Sequence, residues 1–184
     1  MSIAAETIEA YLEQYGTSHN RNSEFIWIAG VRTSVAPFQI FIRLTDDWVF
    51  FFINPFVVAP KNEEDRARFY YHALRFNHDM NLAKLGVDRD GDLFLIVEFP
   101  AIDFAYSHFE EAMDALAYHA STIYVELLSL AHNAPHAIGR YDSEFDREEI
   151  IIAGKRLRIV NDELGEPRIE LDTLPDDDEN ENSF

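Results

Sequence analysis

The sequence predicts an α+β domain in which one antiparallel sheet packs against helices, and three observations lead to this prediction. Apolar residues recur at three- and four-residue steps over 3–15, 62–80 and 107–132, which is typical of amphipathic helices. Short apolar runs bounded by turn-forming residues lie between these segments and are typical of strands. The connections between consecutive runs are too short for crossover helices, so we expect neighbouring strands to be antiparallel.

The predicted elements follow the order α-β-β-β-α-β-β-α. The first helix covers 3–15 and ends at Gly16, which can adopt the left-handed conformation of a helix C-cap. A polar loop is expected over 17–23. Three strands follow, at 24–32, 38–44 and 48–54. The turns between them are short enough to predict a meander of neighbouring strands.

The second helix is predicted to begin after Asn62 and to end between 77 and 80. Asn62 can cap the helix, and three acidic residues follow it at the positive end of the helix dipole. Asn77 lies where this helix meets the next strand. We expect its side chain to satisfy backbone groups at that junction.

A hairpin is predicted from strands at 82–87 and 92–99, joined by the turn Asp88-Arg89-Asp90-Gly91. Asp88, Asp90 and Asp92 invite comparison with a calcium-binding EF-hand loop. Such a loop has glycine at its sixth position, whereas Gly91 would be fourth and a strand follows at once. The pattern therefore predicts a charged turn with Gly91 at positive φ.

The longest helix is predicted over 107–132, where Ser107 and Glu110 have the spacing of a capping box. We assign residues 1–135 to the α+β domain and 136–172 to a C-terminal extension. The extension carries a predicted β-hairpin at 149–153 and 156–160. Residues 173–184 have the composition of a disordered acidic tail.

Charge and composition exclude several classes of function. The net charge is −19, and residues 161–184 alone hold ten acids against one base. Such a field repels nucleic acids and anionic membranes and favours basic or amphipathic protein partners. There is no cysteine, no start typical of a secretory signal and no apolar run long enough to span a bilayer. We therefore expect a cytoplasmic protein that binds neither nucleic acid nor membrane.

No pattern of catalytic or cofactor-binding residues is present. The chain lacks the Gly-x-Ser-x-Gly nucleophile turn and the glycine-rich loops that hold phosphates. The pairs His72/His78 and His132/His136 do not have zinc-binding spacing. We predict no catalytic residues, no metal and no cofactor, hence no enzyme. A small enzyme that uses a carboxylate pair is kept as a distant alternative.

Both faces of the predicted strands are apolar, whereas a sheet with one face in water should alternate apolar with polar residues. Either helices or the C-terminal segment cover both faces, or the second face is a dimer interface or a groove for a client protein. Six residues form the candidate interaction surface: Trp48, Phe50, Phe52, Leu93, Leu95 and Val97.

The element order, and the segment Asn77…Met80…Leu82-Ala-Lys-Leu-Gly…Asp90-Gly91-Asp-Leu…Glu98-Phe-Pro100, resemble the YbjN-domain family. That family shares the type III secretion chaperone-like fold, and the resemblance covers about residues 1–132. It implies a small acidic homodimer that holds extended segments of a partner protein. The expected function is thus a non-enzymatic, dimeric, chaperone-like protein. A regulatory adaptor in signalling or stress response, without chaperone activity, is the alternative.

Overall fold

A computed structural model describes residues 3–132, 136–145, 150–152, 155–161 and 167–173. The chain divides into two compact units, Met1–Tyr141 and Asp142–Phe184, which are described separately below. None of the helices in these described ranges is both long and apolar enough to cross a membrane.

The first unit contains three helices and a six-stranded antiparallel sheet, which confirms the predicted fold class. The helices are α1 (Ala5–Tyr15), α2 (Glu63–Asp79) and α3 (Tyr106–His132). The strands are β1 (His19–Ser23), β2 (Ile26–Arg32), β3 (Pro37–Leu44), β4 (Trp48–Val57), β5 (Lys84–Val87) and β6 (Leu93–Pro100). Their order across the sheet is β1-β2-β3-β4-β6-β5, and every neighbouring pair is antiparallel.

The hydrophobic core lies between one face of the sheet, here called the inner face, and the helices. A row of side chains in register across four strands, Trp27–Ile42–Phe51–Val97, illustrates the packing. All four are 0–1% exposed, and all three helices contribute buried side chains to the same cluster. Truncation of a side chain such as Phe51 to alanine is expected to cost about 3–5 kcal/mol.

Strand β1 replaces the loop predicted over 17–23. All five of its residues are exposed, so the strand carries no apolar alternation that a sequence pattern could detect. It is held by backbone pairing to β2 and by Arg21, whose guanidinium bonds Glu9 at 3.1 Å and lies over the Trp27 ring.

The two longer helices are capped differently from each other. Asn62 caps α2 as predicted, because its side-chain oxygen accepts bonds from the N–H groups of Glu64 and Asp65. The predicted capping box of α3 is wrong, since the helix begins one residue before Ser107. The Ala105 carbonyl accepts the first helical bonds, and Nδ1 of His108 accepts the Ala105 N–H at 3.1 Å. Histidine here takes the role usually filled by glutamate.

The β5–β6 turn is structural, as predicted. Gly91 has φ 90°, and one Asp88 oxygen accepts the N–H groups of Asp90 and Asp92, both at 3.0 Å. Asp92 accepts the N–H of Ala59 at 2.9 Å. Two of the three aspartates therefore use side-chain oxygens to hold backbone groups.

Asn77 performs the predicted junction role through two hydrogen bonds. Its amide nitrogen donates to the Leu85 carbonyl at 2.9 Å, and its oxygen accepts the Leu85 N–H at 2.7 Å. Strand β5 lies at the edge of the sheet, so these are backbone groups that no further strand can pair. Asn77 thus closes this edge.

The second unit contains a short helix, α4 (Asp142–Phe145), and three strands. The strands β7 (Ile150–Ile152), β8 (Lys155–Asn161) and β9 (Pro167–Thr173) form an antiparallel sheet in that order. β7 and β8 form the predicted hairpin, whereas β9 was not predicted. The predicted acidic tail lies outside the described residues from position 174 onward.

Candidate docking face of the sheet

The side of the sheet opposite the core, here called the outer face, is apolar as well. Seven half-buried apolar side chains form it: Ile26, Ile28, Phe41, Phe50, Phe52, Phe94 and Ile96. None of them belongs to the hydrophobic core or packs against it. Trp48 extends this surface at one end of β4 and is 41% exposed. The apolar strands are thus two-sided, and the described helices cover only one side.

Contacts among the aromatic rings organise the outer face. Phe41 and Phe52 stack with centroids 5.5 Å apart and an interplanar angle of 16°. Trp48 and Phe50 lie 6.5 Å apart in a tilted arrangement. Rings held by such contacts lose little rotational freedom when another molecule covers them, which lowers the entropic cost of binding.

A shallow groove of about 200 Å³ crosses this face. Its lining consists of Arg43, Phe50, Phe52, Asn54, Asp88, Phe94 and Ile96. Four of these seven residues are apolar and three are polar. This distribution suits an apolar side chain held in the groove with polar contacts at its rim.

Gly86 determines the position of one wall of the groove. It pairs with Phe94 across β5 and β6, and the Phe94 ring lies directly over it. A Cβ atom at this position would lie 2.3 Å from the tip of that ring. The absence of a side chain at Gly86 therefore leaves room for the tip of this ring.

Arg43 is a charged residue within this apolar surface. It lies in register with Ile26 on one side and Phe50 on the other, and its side chain is exposed. The guanidinium carbon is 4.6 Å from the centroid of the Phe50 ring, within the range of a cation–π interaction.

The six residues of the predicted interaction surface do not share a face. Trp48, Phe50 and Phe52 are on the outer face, but Leu93, Leu95 and Val97 are buried in the core at 0–1% exposure. The register explains the difference, because Phe50 pairs with Glu98 and Phe52 with Ile96. The outer residues of β6 are therefore Phe94, Ile96 and Glu98. Glu98 is polar and alternates with the buried residues of β6, and this is the sequence signal that distinguishes the outer face of β6 from its core face.

A second cavity, of about 430 Å³, lies between α2, α3 and the segment 136–141. Burial lowers the pKa of His119, whose Nε2 bonds the Asn81 carbonyl at 3.0 Å. The hydroxyl of Tyr141 donates to Asp79 at 2.6 Å and lowers the pKa of that carboxyl group. Burial, followed by this bond, raises the pKa of Tyr141 to about 12.

Four polar residues that line the second cavity have a hydrogen-bond or ion-pair partner: Asp79, His119, Thr122 and Arg140. Arg140 forms a 3.0 Å ion pair with Glu126 and lies 4.7 Å from the centroid of Phe76. Among the described lining residues, the second cavity has one carboxylate, Asp79, and the groove of the outer face has one, Asp88. The described linings therefore do not hold the neighbouring carboxylate pair of the enzymatic alternative.

His72, one of the histidines without zinc-binding spacing, is fully buried and bonded at both ring nitrogens. Nδ1 bonds the Arg68 carbonyl at 3.0 Å and Nε2 accepts the Tyr141 N–H at 3.3 Å. In the ranges that the structure describes, no three His, Asp or Glu side chains are grouped as a metal site.

Neither a protein-family model nor a curated protein matches the chain. Solved structures are similar in fold. One is a chain of the heterodimeric ExoU–SpcU complex from the type III secretion system of Pseudomonas aeruginosa, with a TM-score of 0.49, 15% identity, and coverage of 68% of this chain and 98% of that one. YbjN from E. coli has a TM-score of 0.49 and 12% identity, with 68% and 96% covered.

A third similar structure is the Yersinia pestis type III secretion chaperone SycH, in complex with a stable fragment of YscM2. It has a TM-score of 0.44 and 13% identity, with 64% of this chain and 97% of that one covered. The structures similar to this chain thus include YbjN and a type III secretion chaperone.

Proposed function

We propose that this chain is a non-enzymatic, chaperone-like protein-binding module whose outer face holds an extended apolar segment of another protein. The observation that carries the proposal is the row of half-buried aromatic and aliphatic side chains that the core does not use. A contiguous apolar surface of this kind is typical of an interaction site. The function also agrees with what the sequence resemblance implies.

The shape and chemistry of the outer face favour an extended segment as the occupant. Side chains in an extended segment alternate in direction, so every second residue would contact the sheet. The groove between Phe52 and Phe94 accepts one such apolar side chain, and the rings of Phe50 and Trp48 lie further along β4. Aromatic side chains in buried positions contribute much of the binding free energy at protein interfaces.

The pairing of polar groups in the second cavity supports a non-enzymatic role. Asp79 is bonded to Tyr141, and Arg140 to Glu126, so both charged groups have partners in the described structure. The homodimer and the cytoplasmic location expected from the sequence remain predictions. The dimer is checked by measuring the mass of the purified full chain in solution.

The proposed function is tested by affinity capture from the native cell lysate, with and without residues 174–184, which follow β9. The full chain is compared with Phe52→Ser, on the outer face, and with Leu74→Ser, an exposed leucine on α2 (69% exposed). We expect the full chain and Leu74→Ser to retain the same protein and Phe52→Ser to lose it, with all three equally folded.

The captured protein is then identified and mixed with the purified chain, so that binding is measured with two known components. Improved solubility of the partner would indicate chaperone activity. Unchanged solubility would instead indicate the regulatory adaptor. Retention of the partner by Phe52→Ser would contradict the assignment of the outer face as the docking surface.

A further inference from the structure

Arg43 places a positive charge within the proposed docking surface. We propose that the protein segment which docks on the outer face carries an aspartate or glutamate whose carboxylate pairs with Arg43. This inference rests on the proposed function, because it names the chemistry of the segment that the same surface would hold.

Arg43 differs from two other arginines whose charges are paired. Arg21 forms an ion pair with Glu9 at 3.1 Å, and Arg140 forms one with Glu126 at 3.0 Å. The contact of the Arg43 side chain in the described residues is with the Phe50 ring, and no ion pair joins it to an acid there. Its guanidinium therefore retains donors for an incoming group.

Glu98, the acid in the same register row, is separated from Arg43 by Phe50. Their backbones lie two strand spacings, about 10 Å, apart. In the described residues no ion pair joins Arg43 to Glu98, or to Asp88 in the lining of the same groove.

Docking would remove water from Arg43, and this makes the identity of the partner residue important. Burial of a charge costs several kcal/mol unless an opposite charge and hydrogen bonds compensate for it. A guanidinium presents parallel N–H groups that match the two oxygens of a carboxylate. An apolar or basic residue above Arg43 would leave that cost uncompensated, so the surface selects an acidic one.

The carboxylate is assigned to a side chain within the segment and not to a chain end. The outer face continues on both sides of the row that contains Arg43, because Trp48 and Phe52 flank Phe50 along β4. A segment that contacts Trp48 and Phe52 passes over Phe50, and the Arg43 guanidinium lies over that ring, so the segment comes within contact distance of Arg43. The residue at that point is therefore internal to the segment.

The preference for an acidic residue at Arg43 is opposite to the preference for basic partners that the overall charge predicts. The first unit holds nineteen acids and ten bases, and that excess favours basic partners at long range. At physiological ionic strength, charges more than about 8 Å away are largely screened. A carboxylate in contact with Arg43 interacts mainly with that guanidinium.

The test uses three synthetic twelve-residue peptides with leucine at alternate positions and Glu, Gln or Lys at the centre. Their binding to the full chain is measured by fluorescence anisotropy. We expect the Glu peptide to bind about tenfold or more tightly than the Gln peptide, as for a charge-assisted hydrogen bond. The Arg43→Gln variant should lose this preference. The control Arg66→Gln changes the same charge on α2 and should retain it.

A variant with the opposite charge distinguishes the loss of an ion pair from the loss of the folded structure. Arg43→Glu should bind the Lys peptide more tightly than the Glu peptide, and a gain of binding cannot arise from misfolding. Equal binding of the three peptides to the wild-type chain, or a preference that persists in Arg43→Gln, would overturn the inference and leave the proposed function standing.

If no peptide bound, both the inference and the proposed function would fail. If the Glu peptide bound only after removal of residues 174–184, the acidic end of the chain would be the occupant, and a partner segment would be excluded.

Discussion

Gly86→Ala is expected to weaken binding at the outer face and to leave the fold almost as stable as before. The added Cβ would lie 2.3, 2.7 and 2.9 Å from three atoms at the far end of the Phe94 ring. The ring must therefore move. Because Phe94 is on the outer face and its ring is not packed in the core, it can rotate away from the sheet.

The magnitude follows from two opposing effects on stability. Displacement of the ring from its preferred rotamer costs about 0.5–1.5 kcal/mol. Replacement of glycine by alanine reduces the conformational entropy of the unfolded chain and stabilises the fold by about 0.4–1 kcal/mol where the backbone permits it. Gly86 does not have positive φ, so the backbone permits it. The net change in the free energy of unfolding should be within about 1 kcal/mol.

Binding should respond more strongly because the displaced ring would occupy the groove. Loss of one aromatic contact at an interface typically costs about 1–2 kcal/mol, which corresponds to a roughly tenfold weaker affinity. Urea denaturation measures the stability and fluorescence anisotropy with the Glu peptide measures the affinity. A loss of stability above about 3 kcal/mol, or an unchanged affinity, would refute the role assigned to Gly86.

Three further predictions concern the support of the fold. Gly139→Ala places a Cβ 2.1 Å from Nε2 of His72, a buried ring held at both nitrogens. We therefore expect the free energy of unfolding, measured by urea denaturation, to fall by about 2–4 kcal/mol. A decrease below about 1 kcal/mol would contradict this packing. Asn77→Ala leaves the N–H and carbonyl of Leu85 unpaired and should cost about 2–3 kcal/mol, with faster hydrogen exchange at Leu85 as the specific sign. Burial lowers the pKa of His119 in the folded chain, so the unfolded chain binds a proton on this residue at a higher pH than the folded chain does. The free energy of unfolding should therefore fall as the pH drops below about 6.5, the ordinary pKa of histidine. His119→Gln should show a smaller loss between pH 7.5 and 5, and an equal loss would exclude this histidine as the cause.

The helices and most strands could be predicted because their apolar residues repeat with the period of the element. Asn62, Asn77 and Gly91 could be assigned because each role is local and depends on residues nearby in the chain. Strand β1 could not be predicted, since all of its residues are exposed and no face is marked by apolar side chains. The start of α3 was displaced by one residue because His108, which accepts the Ala105 N–H, is not a residue that the capping pattern includes.

The outer face of the sheet could not be predicted from the sequence for a different reason. Each strand alone showed two apolar faces, but the sequence does not state which face of β4 is continuous with which face of β6. A shift of one residue exchanges the two faces completely. The observed register joins Phe52 to Ile96 and places Leu95 in the core. Arg43 gained significance only after this register placed it beside Phe50.

Binding on the outer face of the sheet can be tested directly, because isoleucine methyl groups report on both faces at once. In the full chain with ¹³C-labelled isoleucine methyls, NMR spectra are recorded during titration with the Glu peptide. Ile28 and Ile96 are on the outer face, whereas Ile8, Ile40 and Ile42 are buried in the core. We predict large shift changes for the first two and small ones for the other three. Changes confined to the core methyls, or no change at either outer methyl, would contradict the claim.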